Sequence, residues 1–495
     1  MSLAAVVTVM VAAILIGAFG MRFSRTTSDF YVASRTVTPL WNASAIGGEY
    51  LSAASFLGVA GLILSYGVDM LWLPVGWTGG YLVLLVLVSA PLRRSGAYTL
   101  PDFAEARLES MVVRRTASVL VVLIGWLYLM PQFQSAGLVL RTITGAPVWA
   151  GGLLVAVVVA VNVLSGGMRS ITFVQAFQYW LKLTALAVPL VFLLMAWKAD
   201  GAPALNAQDA AVWQVPLAGA KDYALYSTYS LILATFLGTM GLPHVLVRFY
   251  TNPDGRAARR TTLVVLSLLG AFYLLPALYG WLGRIYAPDL VRTDAVVLTL
   301  PARMIGGTLG DLLTALITAG AFAAFLSTSS GLTVSVAGVI AQDLLKGGVR
   351  SFRIATLMAV AVPLGLALWA RALPVADVVG LAFAVAASSF CPLLVLGIWW
   401  RRLSTTGALA GLFVGGGLAC AAVLATITGG PYEGPAGALL AQPAAWTVPI
   451  AFAVMVSVSF LTPDRVPLGV ARTMVRLHTP ENLDLDRGDW RPRSS

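Results

Sequence analysis

Apolar stretches of about 20 residues recur along the whole chain, each long enough to cross roughly 30 Å of hydrocarbon. About 13 can be marked off, near 3–22, 41–66, 69–91, 113–138, 148–165, 171–197, 226–247, 260–283, 312–341, 352–370, 374–399, 405–428 and 444–462. Backbone in hydrocarbon must satisfy its own N–H and C=O groups, so such segments fold as helices. Only 11% of the 495 residues are charged and mean hydropathy is +0.86, too few polar groups to cover a soluble domain of this size. The expected class is an all-α polytopic membrane protein.

The first span has no basic n-region and no small-residue cleavage site, so it reads as retained rather than as a signal peptide. Cys391 and Cys420 fall inside expected spans and read as small apolar fillers. His244 and His478 are too few for a histidine metal site. There is no G-x-x-x-x-G-K-[ST] pattern for nucleotide-driven pumping, and neither covalent catalysis nor a cofactor is expected.

The net charge of +11 follows the membrane rather than a nucleic acid. With the N-terminus placed outside, the inner loops hold seventeen Lys and Arg against seven in the outer loops, counting Arg107, Arg114 and Arg248 inside. That is the positive-inside bias. An odd number of spans then puts the polar tail from about Pro463 in the cytoplasm. The tail ends RGDWRPRSS and reads as loosely ordered, too short for a catalytic or signalling domain.

Residues 45–61, AIGGEYLSAASFLGVAG, place a glutamate and paired glycines inside a span. A charge there costs roughly 2.5–3.5 kcal/mol on insertion scales, and each glycine about 1 kcal/mol relative to alanine. A second interruption stands in ILATFLGTMGLPHVLVRFY (232–250), at Gly238, Gly241 and Pro243. Transporters use such broken helices to free carbonyls for a cation and N–H groups for an anionic solute. The two interruptions open corresponding five-span units, 41–197 and 226–399, an odd number of spans apart, as an inverted repeat requires. Residues 1–40 then form a peripheral helix and loop, 198–225 an outer loop, 400–462 two peripheral helices and 463–495 the tail. A hydroxyl run, Ser327 to Ser330, lies mid-span in 321–345; neutral oxygens of this kind suit a hard monovalent cation.

Five stretches together resemble the sodium/solute symporter family: residues 27–58, 96–107, 165–175, 241–249, and the Ala324, Ser327, Thr328 pattern ahead of QDLL. The GEYLSAASFLG form is similar to the acetate and short-chain monocarboxylate branch. The resemblance implies a five-plus-five inverted-repeat, leucine-transporter-like core working by alternating access. It also implies one sodium site built from the carbonyls of Gly48, Leu51 and Ala324 and the hydroxyls of Ser327 and Thr328. Substrate is then expected at Tyr50, Ala54 and Ser55, facing Gly238. Apart from the resemblance, Gln132, Gln134 and Trp72 read as cavity-lining groups, the two glutamines equally as interhelical ties. The sequence departs from the family where Phe173 follows Thr172 in place of a common aspartate, which puts a second sodium site in doubt.

Two charges fall deep in spans. Glu49 stands at the first interruption as a coupling or gating group. Lys182 either snorkels, pairs with Glu49, neutralises a substrate carboxylate or carries a coupled proton. The expectation is a plasma-membrane symporter importing a small monocarboxylate (acetate, propionate or pyruvate type) with Na+. The alternatives are a proton-coupled carrier, or a sodium symporter of proline-like amino acids, urea or sugar.

Overall fold

In a computed structural model, residues 1–21, 38–217, 223–345, 347–370, 374–429, 432–480 and 483 are described, and all their regular structure is helical. Twelve stretches are long and apolar enough to cross a membrane, against the 13 expected. The difference lies near the N-terminus. The expected span 41–66 is broken, so its first half, α2 (Pro39–Tyr50), has only 12 residues. Its second half runs on with 69–91 into one 41-residue stretch, Ala54–Arg94. Gly67, with φ +76°, divides that stretch into α3 (Val59–Tyr66) and α4 (Trp72–Val83). Glycine takes this conformation without the Cβ penalty.

α1 (Ser2–Met21) precedes α2. After α4 come α5 (Ser89–Arg94), the short α6 (Leu100–Leu108) and the long α7 (Met111–Thr144). The expected spans 148–165 and 171–197 share one helix, α8 (Val148–Ala199). It bends: a Cβ on Gly17 would lie 3.1 Å from Asn162 Oδ1 and 3.9 Å from a Val174 methyl, although a straight helix would part these residues by about 18 Å. α9 (Ala207–Trp213) lies in the connection that follows α8, and α10 (Ala224–Gly241) and α11 (Pro243–Tyr250) form the second broken helix. Then follow α12 (Gly255–Tyr286), α13 (Val296–Met304), α14 (Gly307–Val339), α15 (Gly348–Trp369) and α16 (Val375–Trp399). The chain ends in α17 (Thr405–Gly411), α18 (Gly417–Gly429), α19 (Gly434–Ala441), α20 (Ala444–Leu461) and α21 (Val470–His478).

The core is built on α14, buried without interruption from Ile317 to Val339, and on α16. Both broken helices pack into it, α2 against α8 and α14, α10 against α4 and α16. Outward-facing Leu15, Met195, Leu274, Leu368, Phe413 and Leu424 stay exposed, the apolar surface a lipid-facing bundle requires.

Two expectations change here. The tail is ordered to His478: α21 buries Met474 and Leu477, and Arg476 Nε donates to Arg94 O at 3.2 Å. The final RGDWRPRSS lies outside the described residues, as do Arg25 and Arg35. Arg107, Arg114 and Arg248, counted as loop charges, are buried. Arg107 Nε donates to Gly397 O at 2.7 Å, and Arg114 pairs with Asp102, Glu105 and Asp343 at 2.5–2.8 Å.

Candidate functional site

α2 stays helical through Gly47 and Gly48 and ends only at Leu51 (φ −74°, ψ 84°). The glycine pair is therefore not the break. A Cβ on Gly48 would strike the carbonyl of Gln175 on α8, and one on Gly47 would lie 2.8 Å from the Tyr179 ring. The glycines let α2 press against α8, and the unwinding falls three residues later. The second interruption is where the proline foretold it: α10 stops at Gly241, Leu242 is extended and Pro243 opens α11,. Gly238 is a contact position, because its Cβ would strike the Phe383 carbonyl on α16.

Unwinding in an apolar interior leaves backbone groups that need partners, and other helices supply them. In an unbroken helix Glu49 O would accept from Ala53 N. Instead Thr328 Oγ1 donates to Glu49 O at 2.6 Å, and Ala53 N donates to Gln132 Oε1 at 3.0 Å. Gly48 O accepts from Ser327 Oγ at 2.5 Å, with Ala324 O 3.2 Å from the same hydroxyl. Of the five groups expected to hold sodium, the carbonyls of Gly48 and Ala324 meet at the Ser327 hydroxyl, whereas the Thr328 hydroxyl turns to Glu49 O.

A further group lies among them. The ammonium of Lys182, fully buried on α8, donates to Gly48 O, to Leu51 O at 2.8 Å and to Ser327 Oγ at 2.8 Å. An ammonium has three donors, and these are its three acceptors. Lys182 neither snorkels nor pairs with Glu49. A sodium ion on the same three oxygens would need the volume the ammonium fills, so the donor set with Lys182 in place does not fit the ion.

Glu49 pairs instead with Arg248 of α11, Oε2 to Nε at 2.8 Å. Arg248 also donates to Thr172 Oγ1 at 2.8 Å and to Gln175 Oε1. Gln175 Nε2 reaches Ser327 O at 2.8 Å. One network therefore joins α2, α8, α11 and α14, and it holds two cations, Lys182 and Arg248, against one carboxylate. Arg248 and Gln175 were missed as site residues. Both stand in the motif stretches, but only the fold brings them to Glu49.

Beside the breaks lies an aromatic cluster. Tyr50 stacks edge-on to Tyr81 at 4.9 Å and donates to or accepts from Thr239 Oγ1 at 2.8 Å. Phe383 lies 5.7–6.2 Å from Trp77, Tyr128 and Tyr50, and Trp77 lies 5.8 Å from Tyr273. Ser55 bonds Tyr273 Oη at 2.9 Å, and Ala54 is buried next to it. Trp77 Nε1, Tyr81 Oη and both ring nitrogens of His244 are buried without a hydrogen-bond partner among the described residues. Two expected lining residues are elsewhere. Trp72 is 41% exposed, whereas Trp77 is 1% exposed. Gln134 Nε2 ties α7 to α15 through Ala367 O at 3.1 Å, while Gln132, half a turn away, faces the break.

Paired helix breaks on either side of a buried polar and aromatic centre define a multi-pass membrane transporter. The chain belongs to the sodium:solute symporter family, whose model matches residues 30–415. The uncharacterized symporter YwcA of Bacillus subtilis is 32% identical over 466 residues, spanning 89% of this chain and 90% of that protein. A monocarboxylic acid transporter of Corynebacterium glutamicum is 32% identical over 438 residues, 80% of this chain and 78% of that one. A Na+-coupled sialic acid symporter in a substrate-bound outward-open state shares the fold at TM-score 0.69 and 15% identity, covering 94% of this chain and 97% of its own. The nucleobase-cation-symport-1 transporter Mhp1 does so at TM-score 0.60 and 13% identity, covering 91% and 99%.

Proposed function

We propose that the protein is a secondary active symporter that imports a small monocarboxylate by alternating access, with its N-terminus outside. The observation that carries this reading is the buried group of unpartnered atoms, Trp77 Nε1, Tyr81 Oη and the His244 ring, within the aromatic cluster between the breaks. The indole N–H can only donate, so the group it awaits is an acceptor, and a carboxylate is acceptor-only. Net charge agrees: Lys182 and Arg248 outnumber Glu49 by one, and a monoanion balances the sum. The relative named for monocarboxylic acids supports the class. Residues Tyr50, Ala54 and Ser55 are assigned to the solute, with Trp77 in place of Trp72. The family supports sodium as the coupling ion, and the position carried over for it is the one where Lys182 stands.

The test is uptake of labelled acetate and pyruvate into proteoliposomes at clamped pH and voltage, with and without an inward sodium gradient. Trp77→Ala is expected to lower kcat/KM at least about tenfold, a loss of roughly 1.4 kcal/mol, and Trp72→Ala to leave it unchanged. Uptake of neither acid above protein-free vesicles sinks the substrate class. Proline, urea and a hexose are then the solutes to try.

A further inference from the structure

The position that a sodium ion takes by resemblance is chemically complete in this chain without one. Its oxygens are the Gly48 and Leu51 carbonyls of the first break and the Ser327 hydroxyl of α14, all turned toward Lys182 Nζ. We infer that Lys182 is a tethered resident cation: its ammonium fills the cation position between α2 and α14, so this protein takes no sodium ion there. The inference deepens the symporter reading and rests on it only for the assignment of the position.

Three observations bear on it. The stoichiometry closes, since three ammonium donors meet three acceptors, and none is left for a solute carboxylate or for Glu49. The charge is equivalent, one positive unit among neutral oxygens. The lysine's helix is also fixed against α14: the two pack together, and Gly320 of α14 faces the Ala185 methyl, three residues beyond Lys182, so closely that a Cβ there would strike it. Meanwhile Glu49, the nearest carboxylate, is committed to Arg248 at 2.8 Å. The ammonium therefore adds to the direct Ser327 and Thr328 bonds a permanent tie between the broken helix and the hydroxyl run, a task a free ion performs only while bound.

The experiment needs no knowledge of the solute. Purified full-length protein in detergent is titrated with sodium chloride at constant ionic strength against choline chloride, reading Tm and equilibrium 22Na+ binding. The wild type is expected to show neither a sodium-specific Tm shift nor saturable binding at this position. Lys182→Ala empties the oxygen cage of its charge and is expected to gain both. Ligand at 100 times its Kd raises Tm by about 2–3 °C for a chain of this length. Lys182→Met serves if the alanine variant does not fold. Saturable 22Na+ binding by the wild type that Ser327→Ala with Thr328→Ala removes overturns the inference. So does a folded Lys182 variant with no sodium response, because the oxygens are then no cation site. Wild-type sodium binding that survives the double substitution lies at another position and supports it. Failure of acetate and pyruvate uptake changes none of these readings, so the two proposals fail separately.

Discussion

Arg248→Met tests whether the buried network is one unit. Arg248 and Glu49 are 1–2% exposed, and the guanidinium serves Glu49 and Thr172 at 2.8 Å each, as well as Gln175. Removing it leaves a carboxylate in the apolar interior, and breaking a buried pair from one side costs about 3–5 kcal/mol. Unfolding entropy of about 2.1 cal/mol/K per residue gives about 1 kcal/mol/K for 495 residues,. The loss therefore reads as a fall in Tm of about 3–5 °C. Adding Glu49→Gln removes the stranded charge and is expected to return at least about half of the fall. The assay is a double-mutant cycle by thermal unfolding in detergent, with monodispersity checked on a sizing column. If the double variant falls by the sum of the two singles, within about 0.5 kcal/mol, Glu49 and Arg248 do not act together and the account of the network is wrong.

Two further outcomes are expected. Gly48→Ala drives a methyl into the Gln175 carbonyl, so the yield of folded protein should collapse, whereas Gly365→Ala, with no atom within 4 Å, should be neutral; equal yields would remove the close-packing explanation. Burial, outweighing the attraction of Arg114, raises the Asp102 carboxyl on α6 to about 6 from its ordinary 3.8. The folded chain thus binds this proton more tightly than the unfolded one, and the stability it confers is lost as pH rises from about 4 through 6. Against Asp102→Asn, the native protein should lose Tm over that window and run parallel above it; identical slopes would contradict the assignment.

The membrane class and the existence of two interruptions were legible because both are local. Apolar length decides the first, and Pro243 with a polar, glycine-marked span decides the second. The site of the first break was not legible. Gly47 and Gly48 look like the weak point, yet they remain helical, and Leu51 and Ser52, neither a glycine, unwind. The cause is tertiary: Thr328, Gln132 and Lys182 arrive from three other helices to bond the freed groups. The same gap explains Trp72, which is exposed, and Gln134, which ties two helices while Gln132 faces the break, because a helix changes face within two positions.

What the sequence determined alone is a multi-pass helical chain with two weakened spans and a hydroxyl run on a third, all consequences of neighbours a few residues apart. Which charge meets which was decided only by the fold. Glu49 and Arg248 are 199 positions apart and Lys182 and Ser327 are 145 apart. A buried charge takes the partner that packing brings within 3 Å, and no spacing along the chain records that choice.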